Sequence, residues 1–177
     1  MMPKVHKKPD WKTRPVTSGV FSVLEPLSKY LDVQLQKVVF LCPAYLKDSW
    51  HFLTDIRDLT NLRGCSLITA DAVLMYTNIN TEHAIEVIRL WFEKHDNRIP
   101  HDFPRELVLD GLAYLMRHNV FSFGDRYFLQ LNRTAMGTNV ACMYATIYYS
   151  LHKENTICTI SNIIFYRRLI DDAFMIV

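Results

Sequence analysis

Apolar residues Leu27, Leu31, Leu35 and Val38 recur every three or four positions, which predicts a helix over 26–40. Asp48 or Ser49 is placed to cap a second helix running to about 59. The short apolar run 65–70 reads as a strand that delivers Asp71. Asn80 or Thr81 then caps a helix to about 94, with Ile85, Ile88 and Phe92 on one face. Pro104, at a first-turn position, opens a helix through about 119 with Val108, Leu112 and Leu115 as its buried stripe. Runs 120–123 and 126–130 flank Gly124-Asp125, a Gly-first pair that fits a type II′ hairpin turn. A helix follows over about 137–154. Two strand-like runs, 165–170 and 173–177, then flank Asp171-Asp172 as the tip of a hairpin. Residues 1–15, broken by Pro3, Pro9 and Pro15, read as an extended loop. This order predicts an α+β fold, an antiparallel sheet backed by helices.

Composition narrows the picture. A chain of 177 residues suits one compact domain, and with half its residues hydrophobic and only 5 Gly it is not a disordered segment. The net charge of +2 says little about partners. Its distribution says more: Lys4, Lys7, Lys8, Lys12 and Arg14 stand against Asp10 alone at the start. Such a stretch suits an anionic partner or a solvated tail. The 4 cysteines (Cys42, Cys65, Cys142 and Cys158) form no C-x-x-C pair and read as reduced, buried thiols of an intracellular protein. The apolar stretch 140–151 is too short to span a bilayer, so no membrane partner is expected. The basic, loop-like start and an end inside a strand predict a piece of a longer protein.

Three carboxylates carry the chemistry. Asp71 and the Asp171-Asp172 pair follow or interrupt apolar runs that read as buried strands. A charge there is costly unless it is paired or binds a metal. Two strand ends presenting three carboxylates suit two divalent cations about 3.5–4 Å apart, as two-metal phosphoryl and nucleotidyl transfer requires. An Asp-Asp pair alone is more often a turn. A second strand ending in Asp makes the metal reading the sharper one. No Ser-His or Cys-His constellation offers a side-chain nucleophile.

Six segments, in order, resemble one family. They are Pro3-Lys4-Val5-His6-Lys7 with Arg14-Pro15-Val16; Tyr45-Leu46-Lys47-Asp48-Ser49; Asp71 with Tyr76-Thr77-Asn78-Ile79; Asn119-Val120-Phe121-Ser122-Phe123 with Tyr127 and Gln130; Thr134-Ala135-Met136-Gly137-Thr138 with Ala141 and Tyr144-Ala145; and Arg168-Leu169-Ile170-Asp171-Asp172. Together they resemble the reverse transcriptases of Penelope-like retroelements, relatives of telomerase reverse transcriptase, over nearly the whole chain. The sequence departs from that pattern at Arg133, where Gly is usual, Cys142 (Pro), Leu169 (an aromatic) and Asn80 (Pro).

The resemblance implies a polymerase right hand without its thumb, about 1–60 fingers-like and about 61–177 palm. It implies an RNA-directed DNA polymerase that joins a dNTP to a primer 3′-hydroxyl on an RNA or DNA template, in the nucleus. Asp71, Asp171 and Asp172 would be catalytic and hold two Mg²⁺, with Mn²⁺ as a substitute. Tyr76 would exclude a 2′-hydroxyl; without the family it reads as a core tyrosine. Arg14 would grip the triphosphate, or be a surface arginine. Gly137 would let the nucleotide approach the start of a helix, or be an ordinary helix-start glycine. Lys4 and Lys7 would touch template phosphates, or belong to a solvated loop. A non-catalytic nucleic-acid-binding remnant and a metal-dependent phosphohydrolase are the competing readings. A hydrolase needs no sugar gate, so Tyr76 speaks against it.

Overall fold

The computed structural model describes residues 2–3, 13–14, 19–131, 133–134, 136–157 and 159–177. Met2–Pro3 (β1) pairs antiparallel with Thr13–Arg14 (β2), Met2 opposite Arg14, so the basic start is not wholly loop. Lys4 and Lys7 lie outside the described residues.

Glu25–Gln36 forms α1, with Pro26 in its first turn, where a missing N–H leaves nothing unpaired. It ends sooner than the apolar pattern predicts because a 3₁₀ turn, Val39–Leu41, takes over. Asp48 caps α2 (Ser49–Arg57) by accepting from the His51 N–H at 2.8 Å. Strand β3 is Leu67–Asp71, followed by a 3₁₀ turn at Tyr76–Asn78. Asn80 caps α3 (Thr81–Lys94) by accepting from His83 N–H at 3.0 Å. Pro104 sits at the cap position just before α4 (Arg105–Arg117), one residue outside the expected place.

Val120–Phe123 (β4) and Arg126–Leu129 (β5) form a separate ribbon with Phe123 opposite Arg126. Of its two turn residues only Gly124 takes a positive φ, 60°, as a type II′ turn requires. Helix α5 is Ala141–Ile157, and the last hairpin pairs β6 (Phe165–Leu169) with β7 (Asp172–Ile176). The result is a mixed α+β fold with five α-helices among the described residues.

The main sheet has three strands in the order β3-β7-β6, all antiparallel. The free side of β6 meets residues 44–46: Arg168 N–H donates to Ala44 O at 2.7 Å and Leu46 N–H to Arg168 O at 3.0 Å. The hydrophobic core lies among α1, α3, α4 and α5, around Leu31, Leu35, Ile88, Trp91, Phe92, Leu112, Leu115 and Ile147. Gly111 lets α1 and α4 come close. A Cβ there would stand 3.0 Å from the Leu31 side chain.

Two expectations about burial are corrected. All five residues of β3 are exposed rather than buried, because β3 is the edge strand and β7 is its one paired neighbour among the described residues. Of the cysteines, Cys42 is buried while Cys65 and Cys142 are only half-buried; all three are free thiols, and Cys158 lies outside the described residues. Burial pushes the Cys42 thiol up to about 12, so it stays un-ionised at neutral pH. Among the described residues no helix is long and apolar enough to cross a membrane.

Candidate active site

The ladder between β3 and β7 sets Asp71 directly opposite Asp172. Directly opposed residues of an antiparallel pair share a face, with Cβ atoms about 4.5–5.5 Å apart. Asp171 is tied to the same place, since its carbonyl accepts from the Ala72 N–H at 2.8 Å. All three acids therefore belong to one end of one sheet. The hairpin tip differs from the expected Asp-Asp pair. Leu169 pairs with Asp172, so the two-residue turn is Ile170-Asp171, and Asp172 is the first strand residue. Ile170 has φ 56°, a conformation that a β-branched side chain rarely adopts. The shape of this turn thus stores strain, of the order of 1–3 kcal/mol.

The acids look two ways. Asp71 and Asp172 line a cleft of about 500 Å³ between the sheet and α2, together with Asp48, Phe52, Leu169 and Phe174. α2 is held against that face by an edge-on Phe52–Phe174 pair, centroids 4.9 Å apart, and by Arg167 Nε donating to Asp55 at 2.5 Å. Asp171 is not part of this lining. Its charge acts instead on the half-buried Tyr76 hydroxyl, near the Cys142 thiol of α5. Burial, then Cys142 and Asp171, push the Tyr76 pKa up, so the phenol is neutral and donates at physiological pH.

Beneath the hairpin lies a residue that periodicity had not singled out. Arg168 is only 5% exposed. It donates to Thr146 O at 2.9 Å, approaches Met75 Sδ at 3.9 Å and stacks over the Tyr149 ring at 5.7 Å. Burial pulls its pKa below the ordinary arginine value. The available signal was strand alternation, which puts Arg168 on the face of Tyr166.

Gly137 does not open α5; the helix starts four residues later, at Ala141. It sits instead in a turn at φ 113°, bracketed by a Met136–Thr138 bridge, and its carbonyl accepts from Gly19 N–H at 3.2 Å. Only glycine takes this backbone shape readily. Arg133, four residues earlier, has φ 76° without being glycine. Thr134 N–H donates to Tyr76 O at 3.2 Å, which ties this loop to the acid-bearing segment. Arg14 is placed by its backbone in β2, and Lys4 and Lys7 are not among the described residues.

The donor set suits a hard divalent cation. Three carboxylates share a sheet end, and among the described residues no lysine, arginine or histidine pairs with any of them. Mg²⁺ is usually held by one or two carboxylates with substrate phosphates and water completing its shell. The three side chains do not close into a cage: among the described residues no group of three His, Cys, Asp or Glu is gathered to hold an ion.

No protein-family model and no curated protein matches the chain. Solved structures do. Apo telomerase from Candida tropicalis, truncated from its C-terminal domain, superposes with a TM-score of 0.57 at 13% identity, covering 86% of this chain and 34% of that one. The chain shares its fold with part of telomerase. Telomerase from Candida albicans, in complex with a TWJ fragment of telomeric RNA, gives the same TM-score of 0.57 at 14% identity, with 86% and 30% covered. The chain thus spans about a third of the length of these telomerase-like neighbours.

Arg133 generates a stability prediction. A left-handed non-glycine residue costs about 1–2 kcal/mol, and glycine returns about 0.5–1 kcal/mol of that through its freer unfolded chain. Arg133→Gly should therefore raise the melting temperature by about 1–4 °C, measured by circular dichroism. Arg133→Ala, which keeps a Cβ, should gain nothing. A lower melting temperature for Arg133→Gly would contradict the backbone assignment.

Proposed function

We propose that the chain is the fingers–palm portion of an RNA-directed DNA polymerase of a Penelope-like retroelement. The observation that carries this reading is the β3–β7 register, which brings carboxylates from two segments a hundred residues apart to one sheet end in a telomerase-like fold. Asp71, Asp171 and Asp172 would hold two Mg²⁺, or Mn²⁺ in its place. Bound there, the ions would lower the pKa of a primer 3′-hydroxyl and stabilise the pyrophosphate leaving group.

The chain's own residues supply position and selectivity. Tyr76, half-buried near Cys142 and Asp171, stands as a wall against a 2′-hydroxyl. Gly137, with no Cβ in a turn tied to Gly19, leaves its backbone open to a nucleotide. Arg14 offers a guanidinium fork to the triphosphate, and Lys4 and Lys7 offer charge to template phosphates. Residues up to about 60 act as fingers and the rest as palm, in a nuclear enzyme working on primer and template.

A second reading has its own support. The strained Arg133 and the open arrangement of the three acids favour a nucleic-acid-binding remnant that has lost catalysis.

Single-nucleotide addition to an annealed primer, with protein in excess, separates the two. The polymerase reading expects slow, non-processive, Mg²⁺- or Mn²⁺-dependent addition that falls at least about 100-fold in Asp71→Asn, since bound metals supply several kcal/mol. Addition indifferent to that substitution contradicts the assignment of the acids, and no addition at all favours the remnant.

In the same assay Tyr76→Ala should raise ribonucleotide incorporation relative to deoxyribonucleotide. An unchanged ratio makes Tyr76 a purely structural residue.

A further inference from the structure

A second cleft, of about 550 Å³, lies where the loop over 19–24, the end of α4 and the β4–β5 ribbon meet. Its lining mixes aliphatic side chains with exposed aromatic rings. Phe21 is 97% exposed and Tyr127 81%. Tyr114 and His118 stack on each other, centroids 4.2 Å apart and planes 26° apart, and His118 Nδ1 meets Tyr114 O at 2.8 Å. These rings are displayed rather than buried, with the Ser122 hydroxyl and the tyrosine hydroxyls beside them.

Phe21 is held in place. Its φ is 63°, in the left-handed region that a bulky residue seldom occupies. The surrounding loop enforces it: Phe21 N–H donates to Glu25 at 2.6 Å, Ser22 N–H to Gly19 O at 3.2 Å, and Leu24 N–H to Ser22 Oγ at 3.2 Å. A strained backbone that exposes an aromatic ring points to a use for that ring.

Hydrogen bonds link the loops that wall the cleft to the candidate nucleotide residues. Gly19, at the start of its loop, donates to Gly137 O. Beyond β5, Gln130 Nε2 donates to Arg133 O at 3.1 Å, and the next residue, Thr134, donates to Tyr76 O. One wall is thus tied to Gly137 and the other to Tyr76. Among the described residues no carboxylate lines the cleft, the nearest named being Glu25, which accepts from the Phe21 N–H, whereas three belong to the sheet end. Arg126 and Arg133, near the two ends of β5, are exposed and pair with no carboxylate among the described residues.

We propose that this cleft takes the unpaired bases of a single-stranded template ahead of the nucleotide site, stacking them on Phe21, Tyr127 and the Tyr114–His118 pair. The proposal rests on the polymerase reading of the acids. Base–aromatic stacking tolerates any sequence, because every base presents a π-face, and that suits a strand whose sequence is to be copied.

Fluorescence anisotropy of primer–template duplexes tests it, using the full chain and 5′ template overhangs of zero, two, four and six nucleotides. Wild-type affinity should rise with overhang length. Tyr127→Ala, at a surface position whose truncation leaves the fold intact, should weaken binding of the longer overhangs about 5- to 150-fold and leave the blunt duplex unchanged. Tyr127→Trp should keep the increment. Asp71→Asn should also keep it while losing nucleotide addition, so failure of the chemistry and failure of the cleft give different patterns. Affinity independent of overhang, or an increment untouched by both Tyr127→Ala and Phe21→Ala, would overturn the proposal.

Discussion

The site depends above all on the register of the β3–β7 ladder. Five paired positions, from Leu67 opposite Ile176 to Asp71 opposite Asp172, decide which side chains share a face. Side chains alternate along a strand, so a slip of one residue would carry Asp71 to the other face, away from Asp172 and from the cleft under α2. The same register is enforced on the other side of β7, where Leu169 opposite Asp172 leaves only two residues for the turn. A turn that short has no slack. Asp171 must stand at the tip, and Ile170 must take the positive φ.

Strain gathers around this end of the molecule. Ile170 and Arg133 are both non-glycine residues in the left-handed region, and Gly137 occupies a conformation that only glycine takes freely. The surroundings hold them there. Arg168 anchors β6 from below through Thr146 O, and the Tyr76 carbonyl is held by the Thr134 N–H. The buried guanidinium is costly, and its partners are a carbonyl, a sulfur and an aromatic ring rather than a carboxylate. Such an arrangement gives one well-defined hairpin at the expense of some stability.

Much of the fold was legible because its signals are local. Asp48 and Asn80 cap their helices by the hydrogen bonds that their side chains suggest. Gly124 sits where a Gly-first turn needs it, and the stripe Val108, Leu112 and Leu115 is buried. What escaped the sequence reading depends on neighbours far along the chain. The run ending in Asp71 looks buried because it is apolar, yet β3 is an exposed edge, and edge position is set by topology rather than by composition. Gly137 looks like a helix start because an apolar run follows it, but its role comes from a loop more than a hundred residues earlier, through Gly19. Arg133 is a departure from a family pattern in sequence; its φ of 76° supplies the physical reason for a glycine at that position.

The central proposal is that the carboxylates which strand register brings to one sheet end, Asp71, Asp171 and Asp172, hold divalent cations. Electron paramagnetic resonance titration of the chain with Mn²⁺ in the presence of a deoxynucleoside triphosphate tests this most directly. The expected result is two bound Mn²⁺ per chain, reduced in Asp71→Asn and again in Asp171→Asn, with circular dichroism unchanged. Mn²⁺ bound to the nucleotide alone, with the same stoichiometry in wild type and both variants, would contradict it.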